Sequence, residues 1–404
     1  MALALSLNKP VKQKHQAVAT WLAFALLPLS GFATDIYIPS LPNMAGELHT
    51  TNIAVQMTLT LFLIGYGVGQ LFIGSFLDSF GRYAISIFCL IIFGLANLVI
   101  ATTHSVLVID IMRVIHGITV AGVVVAKRAY FIDVFTGDKL KHYLSLFSIV
   151  WSTGPIVAPF IGGYLENAFG WKSNFYFLGG FAFVLATLDL IFSGETIKHV
   201  SKFHLKQIAD TYLQMFRTTT FTLGLILVGL SYCIIMIFNL TGPFIIEHQM
   251  RLSPVVAGYS SLILGFAWLT GGMLGKSTIN NPFFKRVSVN LFLQTAFVIV
   301  MLFVSGVVSN LYTLLFFAFI IHVAAGFTFN NFFTYCLSRF PKNAGIASGL
   351  SGGVNYVIVS ALSYGIIALL PAKDAFNLGY SYAILVAISL AVLFLLSKNK
   401  GALE

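Results

Sequence analysis

The sequence predicts an all-α membrane protein with twelve transmembrane helices arranged in two six-helix bundles. Of its 404 residues, 58% are hydrophobic and 9% are charged, whereas roughly a quarter of the residues in a soluble domain are charged. The hydrophobic residues come in blocks of about 20, enough at about 1.5 Å per residue to cross roughly 30 Å of hydrocarbon. One longer polar segment separates six of these blocks from the other six.

This polar segment divides the chain into three parts. An N-terminal bundle is predicted over residues 1–193 and a C-terminal bundle over residues 218–404. Between them, at 194–217, "GETIKHVSKFHLKQIADTYLQMFR" has an amphipathic pattern with four Lys or Arg residues, which predicts a cytoplasmic linker. The spans are predicted at 17–38, 52–75, 84–101, 106–130, 142–165, 174–193, 218–241, 254–275, 287–308, 311–335, 344–370 and 378–396.

The basic residues orient these spans. With the N-terminus inside, 19 of the 23 Lys and Arg residues fall on the cytoplasmic side, three fall outside, and Arg113 stays within span 4. Such an excess is typical of the cytoplasmic loops of membrane proteins. Both termini are therefore predicted to be cytoplasmic, and the net charge of +10 reflects topology rather than nucleic-acid binding. Asp189 lies a turn from the cytoplasmic end of span 6, where access to water explains its charge.

The residue patterns of enzymes and metal proteins are missing from the sequence. Cys89, Cys233 and Cys336 lie in apolar segments without disulfide or metal-ligand spacing. Paired carboxylates, Ser-His-Asp or Cys-His arrangements and a phosphate-binding glycine-rich loop are likewise absent from it. Neither catalytic nor metal-ligating residues nor a cofactor are predicted. Because ATP is excluded as the driving force, the proton gradient is the expected energy source.

A charged motif follows span 2. In "GQLFIGSFLDSFGRYA" (69–84), two glycines, an aspartate and an arginine have the spacing G-x-x-x-D-x-x-G-R. This motif resembles the one between helices 2 and 3 of the major facilitator superfamily. The resemblance implies a fold of two six-helix bundles and a cytoplasmic latch that helps hold an outward-facing state. The latch residues are Gly74, Asp78, Gly81 and Arg82.

Two further motifs extend the resemblance. "IDIMRVIHGITVA" (109–121) resembles the helix-4 pattern of the superfamily, with His116 where a glutamine is usual. "GPIVAPFIGG" (154–163) resembles the motif of drug/proton antiporters, carried by Pro155, Pro159, Gly162 and Gly163. With "TDIYIPSLPNMAGEL" ending span 1 and "QMTLTLFLIGYGVGQLFIGSFLDSFGR" along span 2, the chain is similar to the Bcr/CflA subfamily. Members of that subfamily export bicyclomycin, chloramphenicol-type drugs, sulfonamides or small peptides in exchange for protons.

Arg113 is the main candidate for a functional charge, because an arginine within hydrocarbon costs at least a few kcal/mol. Asp35 lies near the outer end of span 1 and Arg113 roughly 10 Å down span 4, so the two side chains can meet. A carboxyl that binds and releases the guanidinium would couple a proton to a conformational change. Asp35, Arg113 and His116 are therefore predicted to carry proton coupling. The alternatives are a fixed bridge, an Asp35 cap beside Pro39, and a hydrogen-bonded core imidazole at His116.

The resemblance also indicates which spans face a central substrate cavity: 1, 4, 7 and 10, with parts of 2, 5, 8 and 11. Aromatic, amide and imidazole side chains on these spans would suit an amphiphilic organic molecule. The candidates are Tyr37, Gln56, Tyr66, Asn239, Trp268, His322, Asn330, Tyr335 and Asn355.

Together these features predict a multi-pass protein of the bacterial inner membrane that exports small amphiphilic organic compounds in exchange for protons. Its expected partners are the substrate, protons and membrane lipid, and a monomer is sufficient for the function. Three alternatives stay open. The substrate could be an endogenous metabolite such as a siderophore, the carrier could be a proton-driven importer, or the chain could be a sensor or scaffold without transport.

Overall fold

Fifteen α-helices make up the described part of the computed structural model, which covers residues 10–197, 205–340 and 344–398. Parts of the predicted linker and of both predicted bundles lie outside these ranges, as do the side chains of 141, 145, 147–149, 205, 207, 208, 344 and 345. The helices are α1 (Gln16–Leu26), α2 (Leu29–Asp35), α3 (Leu41–Glu47), α4 (Asn52–Phe80), α5 (Tyr83–Thr102), α6 (Val106–Val134), α7 (Gly137–Phe169), α8 (Lys172–Phe192), α9 (Leu205–Phe216), α10 (Thr219–Phe244), α11 (Pro254–Ser277), α12 (Phe283–Ser305), α13 (Leu311–Ser338), α14 (Ala344–Leu369) and α15 (Ala375–Ser397).

Eleven helical segments in the described ranges are long and apolar enough to cross a membrane. Each overlaps one of the twelve predicted spans, so the prediction of an all-helical membrane protein is confirmed. The predicted span 142–165 falls within α7, which is not among the eleven. The count of twelve therefore stays a prediction, as does the cytoplasmic location of both termini.

The first of these segments, Gln13–Glu47, is broken into short pieces by proline. Pro28 precedes α2, and Pro39 lies in the 3₁₀ turn Ile38–Ser40 that follows it. Proline lacks the backbone N–H that an α-helix needs, so the helix is interrupted at both places. The last carbonyls of α2 are then left without helical donors and can accept hydrogen bonds from side chains.

Helices of the N-terminal half, α1–α8, pack mainly against one another, and so do helices of the C-terminal half, α10–α15. The main contacts between the halves join α4 to α14 and α7 to α11. Trp171 donates to Glu47 at one end of the molecule, and Arg82 binds Asp133 at the other. These are called the Glu47 end and the Arg82 end below.

The helix α9 lies in the predicted linker and connects it to both halves. The hydroxyl of Tyr212 donates to the backbone carbonyl of Leu71 in α4 at 2.7 Å. Burial raises the pKa of Tyr212 to about 12, so this hydroxyl stays protonated as a donor at physiological pH. Met215 packs with Phe221 and Leu350 of the C-terminal half, which fixes α9 against α10 and α14.

Candidate functional site

A cavity with about 700 Å³ of empty space, part of it open to solvent, lies between the two halves. Ligand pockets for small organic molecules have mainly apolar walls and a few polar groups. The walls here have that character. They are formed by Asp35, Trp151, Ser152, Pro155, Ile156, Tyr232, Ile235, Met236, Asn239, Ser261, Leu264, Gly265, Trp268, Leu269, His322 and Phe329.

Asp35 is the carboxyl group of this cavity. It is the last residue of α2 and is only 1% exposed. Its Oδ1 accepts a hydrogen bond of 3.2 Å from Nδ2 of Asn239, which lies on α10. This bond joins the two halves directly, and both of its partners line the cavity. A change in the charge of Asp35 would therefore act on the contact between the halves.

Arg113 is fully buried in the N-terminal half, on α6. Its Nη1 donates to the carbonyl of Ala33 at 2.9 Å, and its Nε to the carbonyl of Thr58 at 3.4 Å. The rings of Tyr37 and Phe62 lie 4.5 and 4.4 Å from the guanidinium carbon. Backbone carbonyls and aromatic faces thus replace water around the cation, and a desolvated cation–π contact contributes about 2 kcal/mol.

His116 lies beside this arginine on the same face of α6. Its Nδ1 is 3.4 Å from Arg113 Nη1, and its ring packs on Phe93 with centroids 4.6 Å apart. Asp35 and Arg113, both among the described residues, form no direct ion pair with each other. Nη2 of Arg113 is buried without a hydrogen-bond partner, so this nitrogen can donate to a new partner. The predicted coupling by these three residues stays a prediction.

The antiporter motif brings α7 into close contact with two different helices. A Cβ on Gly162 would lie 1.6 Å from the carbonyl oxygen of Ile36, just after α2. A Cβ on Gly163 would lie 2.6 Å from the carbonyl oxygen of Pro254, at the start of α11 in the other half. The ring of Pro155 packs against Gly31 in the same way. Glycine is required at these positions because only a hydrogen atom fits.

Pro159 completes this interface between the halves. A Cβ on Gly258 of α11 would lie 2.6 Å from the carbonyl oxygen of Pro159. Contacts through Gly163 and Pro159 lie toward the Glu47 end, whereas Gly67 of α4 meets the Gly353 carbonyl of α14 nearer the Arg82 end. The two halves are therefore in close contact on both sides of the cavity.

The predicted latch is a network around Arg82. Its guanidinium donates to Asp78 through Nη2 at 2.9 Å, and through Nη1 to Asp133 and to the carbonyl of Ala129 at 3.2 Å. The hydroxyl of Thr196 also donates to Asp133, at 3.0 Å. Asp133, whose side chain is 14% exposed, is more buried than Asp78, at 46%. The sequence pattern named Asp78 and did not identify Asp133 as a partner.

Glu195, from the start of the predicted linker, caps the N-terminus of α5. Its Oε2 accepts hydrogen bonds from the backbone N–H groups of Arg82 and Tyr83, at 2.9 and 3.1 Å. These are orphan donors at the start of α5, where a carboxylate is stabilising. Gly81 has φ +95°, a conformation that favours glycine, whereas a Cβ on Gly74 would meet nothing within 4 Å. The backbone conformation therefore explains Gly81, whereas nothing in this structure explains Gly74.

We expect Asp133→Asn to destabilise the protein by about 2–4 kcal/mol, because the change leaves a largely buried arginine without its second carboxylate. Asp78→Asn is expected to cost less than about 1 kcal/mol, since exposed ion pairs contribute little. Thermal unfolding of the two purified variants measures this difference. A larger loss for Asp78→Asn would show that the exposed carboxylate is the main partner of Arg82.

Three of the nine predicted cavity residues line the cavity described above: Asn239, Trp268 and His322. The other six are not among its lining residues. Gln56 donates to the carbonyl of Leu240 across the halves at 2.6 Å, and the rings of Tyr66 and Tyr356 lie 4.7 Å apart. Tyr37 packs on Arg113, Asn330 donates to the Gly326 carbonyl, Tyr335 packs on Phe283, and Asn355 is buried in α14. The sequence analysis did not predict Tyr232, Ser261 and Phe329 as lining residues. Which residues of a helix face the cavity depends on how that helix is rotated about its axis, and the sequence patterns do not specify this rotation.

The sequence of this chain is similar to those of other proteins over nearly its full length. A bicyclomycin resistance protein homolog of Haemophilus influenzae is 30% identical over 383 residues, which are 92% of this chain and 94% of that protein. The multidrug resistance protein MdtL of Shewanella oneidensis is 29% identical over 380 residues, 91% and 93% of the two chains. The predicted resemblance to the drug/proton antiporter branch, Bcr/CflA-like, is confirmed.

The fold agrees with solved structures. The xylose transporter XylE from E. coli, in a partially occluded inward-open conformation, superposes with a TM-score of 0.72 at 14% identity and covers 96% of this chain and 98% of that one. At this identity the similarity establishes the fold alone. The model of the Major Facilitator Superfamily matches residues 23–364. This multi-pass inner-membrane protein therefore belongs to the Major Facilitator Superfamily and is a transporter rather than an enzyme.

Proposed function

We propose that this transporter exports small amphiphilic organic compounds, of the kind handled by multidrug efflux proteins, in exchange for protons. The single observation that carries the proposal is the Asp35–Asn239 hydrogen bond, which places an ionisable group in the cavity at the contact between the halves. The relatives named for bicyclomycin and multidrug resistance support the class of substrate.

The exchange follows from competition at one carboxylate. Ionised Asp35 can hold the amide of Asn239 or a hydrogen-bond donor of the substrate. Protonated Asp35 loses its charge and with it the stronger, charge-assisted hydrogen bonds. A proton that enters from one side therefore releases the substrate, and a substrate that binds from the other side favours release of the proton.

Arg113 completes the proposed cycle. Its free Nη2 donor lies in the half that carries Asp35, and two backbone carbonyls hold the remainder of its guanidinium. Ionised Asp35 can turn to this cation when the halves separate and Asn239 withdraws. The guanidinium would then stabilise the carboxylate in the state where the cavity is open. His116, in contact with Arg113, is the proposed relay residue.

The proposed topology has twelve spans, with bundles over residues 1–193 and 218–404, a cytoplasmic linker over 194–217 and both termini inside. The contacts of α4 with α14 and of α7 with α11 support a movement of one bundle against the other. A single chain contains the whole cavity in the described ranges, so we propose that the transporter works as a monomer.

Inverted membrane vesicles test the direction and the coupling together. With an acidic lumen imposed, addition of chloramphenicol is expected to dissipate the proton gradient, because export into the lumen releases protons outward. The gradient is followed with a fluorescent weak base and uptake with labelled drug, against vesicles that lack the protein. If a compound is accumulated without any proton movement, the antiport mechanism is wrong. If an endogenous metabolite is exported instead, a deletion strain would show altered secretion but unchanged drug sensitivity.

A further inference from the structure

The cavity is polar toward the Glu47 end and aromatic toward the Arg82 end. Its lining residues on α10, α11 and α13 recur with the period of a helix, as Tyr232, Ile235, Met236 and Asn239 do on α10, so each helix presents one face to it. Seven residues along a helix correspond to about 10 Å. On each helix this spacing separates a polar residue nearer the Glu47 end from an aromatic one nearer the Arg82 end. The pairs are Asn239 and Tyr232 on α10, Ser261 and Trp268 on α11, and His322 and Phe329 on α13.

The aromatic end is a cluster of three rings. Trp268 and Phe329 have centroids 4.9 Å apart, and Tyr232 lies 5.9 Å from each of them. Rings at these distances form a continuous apolar surface, on which the flat body of an organic molecule can pack. A substrate oriented by this surface would direct its polar group toward Ser261 and His322.

His322 offers a hydrogen-bond acceptor to that polar group. Its Nδ1 lies 2.7 Å from the carbonyl oxygen of Ala318, and because a carbonyl can only accept, Nδ1 carries the hydrogen. In the neutral imidazole, Nε2 is then an acceptor. The side chain is 1% exposed and lines the cavity, yet Nε2 has no hydrogen-bond partner within the described ranges.

Ser261 also presents a polar group without a hydrogen-bond partner. Its hydroxyl is buried and lines the cavity, and it too lacks a hydrogen-bond partner in the described structure. The adjacent Ser260 differs, because its hydroxyl donates to the carbonyl of Val256 at 2.7 Å and the residue does not line the cavity. A buried polar group without a partner costs about 1–3 kcal/mol, which a ligand recovers when it supplies the missing hydrogen bond.

We infer that Ser261 and His322 form a head-group subsite that selects substrates with a hydroxyl or N–H donor, while the aromatic body packs on Tyr232, Trp268 and Phe329. This inference rests on the proposed function, since it assigns the substrate class of the same cavity. Asp35 and Asn239 complete the polar end, but they act on the proton and on the contact between the halves. The new subsite belongs entirely to the C-terminal half.

Matched ligand pairs test the subsite by calorimetric titration of the purified protein. The probes are chloramphenicol with its fully O- and N-methylated form, and sulfanilamide with its fully N-methylated form. Wild type is expected to bind at least one donor-bearing probe about tenfold more tightly than its methylated twin, which corresponds to about 1.4 kcal/mol. His322→Phe and Ser261→Ala are each expected to reduce this preference to less than about threefold.

Two controls separate loss of the subsite from loss of the fold. Ser260→Ala is expected to keep the wild-type preference, and His322→Gln, which retains an acceptor oxygen, is expected to restore part of it. Equal binding of both twins by wild type, a preference unchanged in both variants, or no binding of any probe would overturn the inference. A protein that shows the expected preference but moves no protons in vesicles would retain the subsite and refute the proposed antiport instead.

Discussion

Asp35→Asn is expected to lower proton-driven export to the level of vesicles without the protein. Asparagine has the same shape as aspartate and can still accept the Asn239 amide through Oδ1, so the contact between the halves is retained. It cannot bind or release a proton, however, and cannot form an ion pair with Arg113. The variant should therefore still exchange labelled for unlabelled substrate without a gradient. Uptake and proton movement in inverted vesicles, with and without an imposed gradient, measure both effects.

Asp374→Asn is the matched control for this experiment. Asp374 caps the start of α15 by accepting a hydrogen bond from the N–H of Asn377 at 2.8 Å, away from the cavity lining. Asparagine and aspartate are about equally good at this position, so neither stability nor export should change. Undiminished gradient-driven export by Asp35→Asn, with substrate still moving protons, would remove Asp35 from the coupling role.

Local patterns of the sequence predicted the fold well. Apolar blocks long enough to span a membrane predicted the helices, and the eleven segments found in the described ranges each overlap a predicted span. The antiporter motif was found from its sequence alone, and the structure shows that its Gly162 and Gly163 meet backbone carbonyls. A glycine pattern indicates that another segment approaches the helix closely, but it does not indicate which segment. The structure shows one partner in the same half and the other across the cavity.

Partners of the charged groups were much harder to predict. Asn239 is 204 positions from Asp35, and Asp133 is 51 positions from Arg82. Hydrogen bonds of this range depend on how helices pack, which no local spacing specifies. Asp189 was predicted to reach water at a span end, and this prediction is wrong. The Asp189 side chain is fully buried, and Lys127 forms a salt bridge with it.

Gly162→Ala is expected to destabilise the protein by more than about 2 kcal/mol, a cost typical of overpacked cores. The added methyl group would lie 1.6 Å from the carbonyl oxygen of Ile36, and a backbone atom cannot rotate away as a side chain can. The segment that follows α2 must therefore move away from α7. Since Asp35 immediately precedes Ile36, the same movement would displace it from Asn239. Thermal unfolding and export by the purified variant, reconstituted in liposomes, measure the two consequences.

Two further alanine variants separate packing within a half from packing between the halves. Gly180→Ala, on α8, adds a methyl group with nothing within 4 Å, so it should be neutral or stabilising by up to about 1 kcal/mol, as alanine favours the helix. Gly163→Ala meets the Pro254 carbonyl of the other half, so it should leave the unfolding temperature nearly unchanged and instead hinder closure at the Glu47 end. Because every transport cycle needs that closure, export by Gly163→Ala should fall although the protein stays folded. Equal unfolding temperatures for Gly162→Ala and Gly180→Ala would show that α2 and α7 can separate without cost.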